Sequence, residues 1–214
     1  MKNSLLITFE GLDGAGKTTQ INLFQQYLQQ LHLPYVYLRE PGGTVLGEEI
    51  RTLLKSTRAD LKINDLAELL LFSAARAEII AEKIKPALAA GKIVIMDRFI
   101  DSTLAYQGGG RGLDADLVNS LCRNILGDLV IDRTYYLDLP RAVAVQRLQQ
   151  TGKAAEDRLD LIADEEFWRR VRSVYLHLQK QETRYLLLDA TAAVPTVQAQ
   201  IKADFSQLLE QLQR

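Results

Sequence analysis

GLDGAGKT, residues 11–18, stands between two stretches of different character. The short apolar run LLITF at 5–9 precedes it and is typical of a buried strand. The stretch TQINLFQQYL at 19–28 follows it and begins a run of apolar side chains at the spacing of a helix. These apolar positions are Ile21, Phe24, Leu28 and Leu31. The sequence therefore predicts a strand, a glycine-rich loop and a helix in succession.

The loop satisfies the spacing G-x-x-x-x-G-K-[S/T] through Gly11, Gly16, Lys17 and Thr18. Its strand and helix neighbours are the context that this phosphate-binding motif, the P-loop, requires. Glycines let backbone N–H groups and the helix N-terminus face a chain of phosphates. Lys17 would reach the β- and γ-phosphates, and Thr18 would hold Mg²⁺. The motif predicts a nucleoside triphosphate site formed by Gly11, Leu12, Asp13, Gly14, Ala15, Gly16, Lys17, Thr18 and Thr19.

Four further short apolar runs are typical of strands buried on both faces, and stretches with helical spacing lie between them. The runs are YVYL at 35–38, IVIM at 93–96, YYLDL at 135–139 and YLLL at 185–188. The last helical stretch carries Val197, Ile201, Phe205, Leu208 and Leu212. This alternation predicts an α/β protein, a three-layer P-loop NTPase fold with a parallel sheet of about five strands and helices on both faces. We expect one domain over residues 1–214, with ligands at the carboxyl ends of the strands.

Composition excludes several kinds of site. The single cysteine, Cys122, excludes an internal disulfide, and the two histidines, His32 and His177, are too few and too isolated for a metal cluster. The sequence has neither a signal peptide pattern nor a long apolar run, so we expect a cytoplasmic protein without a membrane partner. A net charge of −1 gives no general attraction for nucleic acid. Anion binding must therefore come from a local cluster of arginines.

Arginines follow two of the predicted strands. REPGGT at 39–44 follows the second strand, and DRFIDSTLAYQGGGRG at 97–112 follows the third. A second phosphate-bearing substrate fits arginines delivered to one crevice. Alternatively, Arg39 could form a surface ion pair and QGGG could be a flexible turn. A GTPase would normally carry N-K-x-D, and no asparagine here precedes a lysine. These features favour a kinase over a switch protein.

The sequence resembles the thymidylate kinases over essentially its whole length. The resemblance rests on FEGLDGAGKTTQ, REPGGT, GEEIR, LLFSAAR, DRFIDSTLAYQGGGRG and DRLD, in this order. It implies an enzyme that passes a phosphoryl group from ATP to dTMP, with Mg²⁺ as cofactor, and that forms a homodimer. Kinases for uridylate, cytidylate or adenylate share the fold and stay open as an alternative. A P-loop regulatory ATPase, which would hydrolyse ATP slowly without an acceptor, is the alternative from another class.

The resemblance also implies roles for individual residues. Phe72 would stack on the base and Arg76, one helical turn later, would hydrogen-bond to it; without the resemblance Phe72 would be predicted as a core residue. Arg51 and Arg98 would bind the 5′-phosphate. Gln107 and Thr103 would meet the edge of the thymine, and Tyr106 would lie under the deoxyribose. The predicted substrate-binding residues are thus Asp13, Arg51, Phe72, Arg76, Arg98, Thr103, Tyr106 and Gln107.

Acidic residues and a lid complete the expected site. Asp13 would lie near the sugar 3′-hydroxyl or the magnesium shell, and Asp97 would either hold Mg²⁺ through water or orient Arg98. A lid is expected around residues 149–160, where Arg158 of DRLD matches the family better than Lys153. The predicted catalytic residues are Lys17, Asp97, Arg98 and Arg158. The family further suggests that the peptide bond between Glu40 and Pro41 is cis.

Overall fold

A computed structural model describes residues 4–150, 159, 162 and 164–212. Its centre is a five-stranded sheet with the order β2-β3-β1-β4-β5, in which every pairing is parallel. The strands are β1 (Leu6–Gly11), β2 (Tyr35–Arg39), β3 (Ile93–Asp97), β4 (Arg133–Asp138) and β5 (Tyr185–Asp189). The predicted fold class, strand number and strand positions are therefore confirmed.

Helices connect the strands and cover the sheet. They are α1 (Lys17–Gln30), α2 (Val45–Lys55), α3 (Asp65–Ile79), α4 (Lys85–Ala89), α5 (Ile100–Thr103), α6 (Ala115–Leu126), α7 (Arg141–Gln150), α8 (Glu165–Gln181) and α9 (Val194–Leu212). Two π-helical segments, Ile80–Ile84 and Leu104–Gly110, continue α3 and α5. Among the described residues, each helix is too short or too polar to cross a membrane.

Successive side chains of a strand enter different hydrophobic clusters, because they point to opposite faces of the sheet. Ile7 and Phe9 of β1 belong to a cluster with residues of α1 and α9. Leu6 belongs to a second cluster with Leu69 of α3 and Val118 of α6. The sheet thus lies between two helical layers, as the sequence predicts. Cys122 is buried in the second cluster.

The expectation that all five strands are buried on both faces is wrong for β2 and β5. These strands form the two edges of the sheet, where Tyr37 is 36% exposed and Leu187 is 42% exposed. Their sequences are as apolar as those of the central strands, so composition alone does not separate an edge from the centre.

The predicted apolar stripe of α1 is correct except at its end. Ile21, Phe24 and Leu28 are fully buried, whereas Leu31 is 41% exposed. The helix ends at Gln30, and the chain turns away through His32, whose φ is 53°. Leu31 therefore leaves the helical face before it can reach the core. The peptide bond between Glu40 and Pro41 is cis, as the resemblance suggested.

Phe24 and Leu31 give a matched test of this core. The Phe24 ring lies 5.8 Å from Phe9, 6.1 Å from Tyr135 and 5.0 Å from Phe205, measured between ring centroids. Phe24→Ala should lower the free energy of unfolding in urea by about 3–5 kcal/mol, because it leaves a cavity among rings. Leu31→Ala should change it by less than about 0.5 kcal/mol. A comparable loss from both substitutions would contradict this assignment.

Candidate functional site

The phosphate-binding loop joins β1 to α1, and its backbone requires glycine at two positions of the motif. Gly11 ends β1 with φ of 142°, and a Cβ there would lie 2.6 Å from the Leu137 carbonyl oxygen on β4. Gly16 is the residue before α1 and has φ of 90°, in the left-handed region. Larger side chains are thus disfavoured at both motif positions. The loop has the backbone shape that the sequence motif predicts.

Lys17, the first residue of α1, is directed back over this loop. Its Nζ donates hydrogen bonds to the carbonyl oxygens of Gly11 and Leu12, at 3.0 Å and 3.1 Å, and it lies 3.3 Å from Asp13 Oδ1. The side chain is only 6% exposed. Burial, together with the positive charge of Arg98, lowers the pKa of Lys17. The ammonium group is therefore held where a phosphate chain would enter.

Arg98 follows β3 and reaches the same carboxylate. Its Nη2 lies 2.7 Å from Asp13 Oδ1, and its guanidinium carbon lies 5.3 Å from the centre of the Tyr106 ring. Burial alone would raise the pKa of Asp13, but the charges of Arg98 and Lys17 outweigh it and hold that pKa well below its usual value. Asp13 thus keeps two cations together beside the loop.

A cavity opens at this point, and its wall contains all eight predicted substrate-binding residues. They are Asp13, Arg51, Phe72, Arg76, Arg98, Thr103, Tyr106 and Gln107. Lys17, Thr18 and Asp97 line it as well. These side chains come from the P-loop, α2, α3, the end of β3, α5 and the second π-helical segment. We call this the arginine cavity.

Arg76 is the most buried charge in the wall of the arginine cavity, at 1% exposure. Its Nη2 lies 2.6 Å from Glu40 Oε2, and its Nε donates to the same oxygen at 2.9 Å. Nη1 donates to Thr103 Oγ1 at 2.7 Å, and Nη2 also donates to the Phe99 carbonyl at 3.2 Å. Burial raises the pKa of Glu40, whereas the charge of Arg76 opposes that rise. The guanidinium is therefore fixed in one orientation.

Three polar atoms of cavity-lining residues are buried without a hydrogen-bond partner among the described residues: Glu40 Oε1, Asp97 Oδ1 and Tyr106 Oη. Buried polar atoms in folded proteins normally have partners. Their concentration around one cavity indicates that a polar ligand or water supplies the missing bonds. Burial also raises the pKa of Tyr106, so its hydroxyl stays neutral.

A second cavity lies on the other side of the phosphate-binding loop. It is lined by residues 13–20 of the loop and α1, by Arg147 of α7, and by Ala190, Ala192 and Val194 near the end of β5. Lys17, Thr18 and Arg51 line both cavities. The loop therefore stands between two spaces, so one ligand on each side could meet at Lys17.

Comparisons with known proteins agree with this geometry. The sequence model of the family described as thymidylate kinase matches residues 9–201. A thymidylate kinase of Kosmotoga olearia is 41% identical over 209 residues, covering 97% of this chain and 98% of the relative. A thymidylate kinase of Chlorobium chlorochromatii is 46% identical over 210 residues, with 94% and 93% covered. The crystal structure of thymidylate kinase from Ehrlichia chaffeensis superposes with a TM-score of 0.76 at 35% identity, covering 94% of this chain and 98% of that one.

The chain belongs to the thymidylate kinase family. Within that family, the two cavities and the loop between them form the candidate active site. Two expectations from the sequence lie outside the described residues, namely the roles of Lys153 and Arg158. Of the predicted lid at 149–160, the structure describes residues 149, 150 and 159.

Thr18 and Asp97 are suited to hold a magnesium ion. Thr18 and Asp97 both line the arginine cavity, and Asp97 Oδ1 is a buried acceptor without a partner among the described residues. Within the part of the chain that the structure describes, no three His, Cys, Asp or Glu side chains form a metal cluster. Mg²⁺ commonly takes only one or two protein oxygens and completes its shell with water and substrate phosphates. The Thr18 hydroxyl and the Asp97 carboxylate match this small number of protein ligands.

Arg39 lies in the crevice and also forms an ion pair, whereas its binding of phosphate stays a prediction. Its side chain lines the arginine cavity, and it also forms an ion pair with Glu48 of α2 at 3.0 Å. Arg51 lies nearby and donates to the Pro41 carbonyl oxygen at 2.8 Å. The turn after β2 is thereby connected to α2 through two arginines.

The run QGGG is not a flexible turn, because it forms the π-helical segment Leu104–Gly110 and packs against α8. Arg170 of α8 donates to the carbonyl oxygens of Gly109 and Gly110 at 3.0 Å and 2.7 Å. Gln107 of the same segment is 2% exposed and donates to Glu68 of α3 at 2.8 Å. The segment that carries Tyr106 and Gln107 is therefore held from two sides.

Sequence reasoning missed the residues that support the predicted ones. Glu40 and Glu68 hold Arg76 and Gln107, and Trp168 of α8 lines the cavity 5.9 Å from the Tyr106 ring, at 90° to it. Each of these partners is distant in sequence from the residue it supports. Glu40 was quoted within REPGGT, but no local spacing connects it with Arg76.

Substitutions at the glycines of QGGG, residues 108–110, test the packing of this segment against α8. A Cβ on Gly109 would lie 2.5 Å from Val174 Cγ2, and one on Gly110 would lie 2.5 Å from the Phe167 ring, whereas the nearest atom to one on Gly108 is 3.8 Å away. Gly109→Ala and Gly110→Ala should each lower the free energy of unfolding in urea by about 1–3 kcal/mol through overpacking. Gly108→Ala should leave it unchanged or raise it by up to about 1 kcal/mol, because the Cβ has room and alanine favours a helical backbone more than glycine does. If Gly108→Ala were as damaging as the others, the close packing against α8 would not explain the run.

Proposed function

We propose that this chain transfers the γ-phosphoryl group of ATP to dTMP and releases ADP and dTDP. The observation that carries the proposal is that all eight residues predicted to bind the monophosphate line one cavity, directly beside the phosphate-binding loop. Membership in the thymidylate kinase family supports the same reaction.

The donor binds on the loop side. The second cavity, between the P-loop, Arg147 and the residues after β5, takes the nucleoside part of ATP. The N-terminus of α1 and the loop N–H groups face the phosphates, and Lys17 binds the β- and γ-phosphates. Thr18 and Asp97 would hold Mg²⁺, which would supply neutralisation of phosphate charge.

The acceptor binds in the arginine cavity. Arg98 and Arg51 bind the 5′-phosphate, Phe72 stacks on the thymine, and Arg76 donates to it. Tyr106 lies against the sugar, and Thr103 and Gln107 complete the contacts to the base. Arg98 directly follows β3, and the other residues that provide these contacts lie in helical segments, so the pocket is already assembled before dTMP arrives.

The main catalytic task of the site is to neutralise the negative charge of the phosphates. The second pKa of a phosphate monoester is about 6, so the attacking oxygen of dTMP is already anionic near neutral pH and needs no general base. The protein instead has to bring two polyanions together and stabilise the charge that spreads over the transferring group. Lys17 and Arg98, which both contact Asp13 Oδ1, supply that positive charge. Arg158 of the lid stays a prediction from the sequence for the same task.

The protein forms a homodimer through α2, α3 and α6. These helices are neighbours, with α3 packed against both of the others. Each carries exposed leucines: Leu46 and Leu53 on α2, Leu66 and Leu70 on α3, and Leu117 on α6, all between 46% and 52% exposed. Apolar residues grouped on adjoining helices are typical of an interface between subunits. The cytoplasmic location and the absence of a nucleic-acid or membrane partner stay predictions.

A panel of acceptors tests the reaction directly. With ATP and Mg²⁺, ADP release should depend on the added monophosphate, with dTMP giving the highest kcat/KM, dUMP a lower value, and dAMP and CMP values near background. The cause is that donors fixed for the thymine edge would be left unpaired by another base. Preference for CMP or dAMP would favour a different monophosphate kinase. ADP release that ignores the acceptor would favour the regulatory ATPase.

Arg76 should matter for both stability and binding. Arg76→Ala should weaken dTMP binding by about 1–3 kcal/mol in calorimetry, because it leaves the base without its donor. It should also lower stability by about 3–5 kcal/mol, since it leaves Glu40 buried without a counter-ion. ATP binding should be unchanged.

The double variant Arg76→Ala/Glu40→Ala separates the two effects. Because it removes the uncompensated carboxylate as well, it should recover part of the lost stability while dTMP binding stays weak. If the double variant regained both stability and dTMP affinity, Arg76 would serve only to neutralise Glu40.

Leu70→Glu tests the dimer. A charge at a 52% exposed leucine in the middle of the proposed interface should shift sedimentation from dimer toward monomer, because burying it is costly. Leu187→Glu, at a 42% exposed leucine on the edge strand β5, is the matched control and should leave the dimer intact. Dissociation by both substitutions, or by the control alone, would contradict the assignment of the interface.

A further inference from the structure

Glu10 has no role in the proposed reaction, although it is adjacent to both halves of the site. It lies on β1 immediately before Gly11 and is 0% exposed. Burial raises the pKa of Glu10 to about 7, and the negative charge of Asp101 adds to this rise, whereas Arg98 opposes it. A carboxyl group kept in such an unfavourable place requires a compensating set of contacts.

The carboxyl group of Glu10 accepts three hydrogen bonds. Its Oε1 accepts from the Phe99 N–H at 2.8 Å. Its Oε2 accepts from Ser102 Oγ at 2.7 Å and from Tyr175 Oη at 2.8 Å. Phe99 and Ser102 both follow Arg98 closely in the chain, so two of the three bonds hold the segment that begins at Arg98.

That segment starts with a strained residue. Arg98 has φ of 67°, a conformation that costs a residue other than glycine about 1–3 kcal/mol. Strain of this kind persists only where the surroundings impose it. The backbone of Arg98 is held on one side by its N–H bond to the Phe9 carbonyl at 3.0 Å. On the other side, the next N–H, that of Phe99, is held by Glu10.

Ser102 connects Glu10 with the guanidinium group itself. Its Oγ donates to Glu10 and accepts from Arg98 Nη1 at 3.3 Å. Glu10 thus restrains Arg98 both through its backbone and through its side chain. The remaining arm of Arg98, Nη2, is directed at Asp13 beside the P-loop.

We propose that Glu10 is a positioning residue for phosphoryl transfer, which holds the turn at Arg98 so that the guanidinium faces the phosphates. The inference rests on the proposed function, because Arg98 is the group through which Glu10 acts. Glu10 is not among the residues that line either cavity. Its contribution is to keep Arg98 in a strained conformation that the turn alone would not retain.

A double-mutant cycle distinguishes this role from general support of the fold. Glu10→Leu, which removes all three bonds at similar volume, should lower kcat/KM for dTMP roughly 10- to 100-fold, since a misplaced catalytic cation costs about that much. In the Arg98→Ala background the same substitution should cost less than about 2-fold, because the group on which Glu10 acts is gone. The KM for ATP should change little in either case.

Two further variants keep the cycle decisive if Glu10→Leu fails to fold. Ser102→Ala removes the hydroxyl that connects Glu10 with the guanidinium and its 2.9 Å contact with Tyr175 Oη, while the Phe99 N–H and Tyr175 bonds to Glu10 remain. Its effect should likewise disappear in the Arg98→Ala background. Glu10→Gln keeps an acceptor for the Phe99 N–H and should retain activity within about 3-fold of wild type. Thermal unfolding of each variant confirms that folded protein is compared.

The outcomes separate the two proposals. Wild-type protein that shows no dTMP-dependent ADP release would overturn the proposed function. Active wild type, with Glu10→Leu or Ser102→Ala lowering kcat/KM equally with and without Arg98, would overturn the positioning role. Loss of activity in Glu10→Gln as severe as in Glu10→Leu would also overturn it, since the negative charge and not the hydrogen bonds would then be needed.

Discussion

Parallel pairing of the three strands β2, β3 and β1 is the constraint from which the site follows. The register places Asp97 of β3 opposite Arg39 on one neighbour and opposite Phe9 on the other. Beyond the ladder, the Glu40 N–H bonds to the Asp97 carbonyl and the Arg98 N–H bonds to the Phe9 carbonyl. The residues that leave these strands therefore start within hydrogen-bonding distance of one another. The sheet thus sets the starting positions of Arg39, Glu40 and Arg98, and helices α1, α2 and α3 add Lys17, Arg51 and Arg76 to them.

Three arginines that line the arginine cavity each form an ion pair with a carboxylate. Arg98 is paired with Asp13, Arg76 with Glu40, and Arg39 with Glu48. This explains how a chain of net charge −1 holds a site for polyanions. The pairs differ in their exposure to solvent. Arg76 and Glu40 are almost fully buried, whereas Asp13 is 45% exposed. An arriving phosphate can thus take over Arg98 from Asp13, whereas Arg76 keeps its partner and its orientation.

The fold and the P-loop could be predicted because strand runs, helical spacing and the loop motif are local patterns. The acceptor residues were implied by the resemblance to thymidylate kinases, and the structure brings them to one cavity. The features that the sequence did not predict depend on contacts between distant parts of the chain. Glu10 meets Tyr175 across 165 positions, and Arg170 meets Gly109 across 61. Exposure of the edge strands likewise depends on strand order, which no single strand encodes.

The run of glycines after Gln107 shows how one composition can support opposite interpretations. Glycine is suited to a mobile turn, and it is equally suited to close packing of two backbones. Here the second use applies, since Gly109 and Gly110 let the π-helical segment approach α8 so closely that Arg170 reaches their carbonyl oxygens. Tyr106 and Gln107 stand on that segment, so their positions are fixed by packing on α8. Under the proposed function, in which Tyr106 and Gln107 contact the nucleotide, recognition would depend on a helix that contributes only Trp168 to the cavity wall. Substitutions in α8 would then alter substrate preference without touching the substrate.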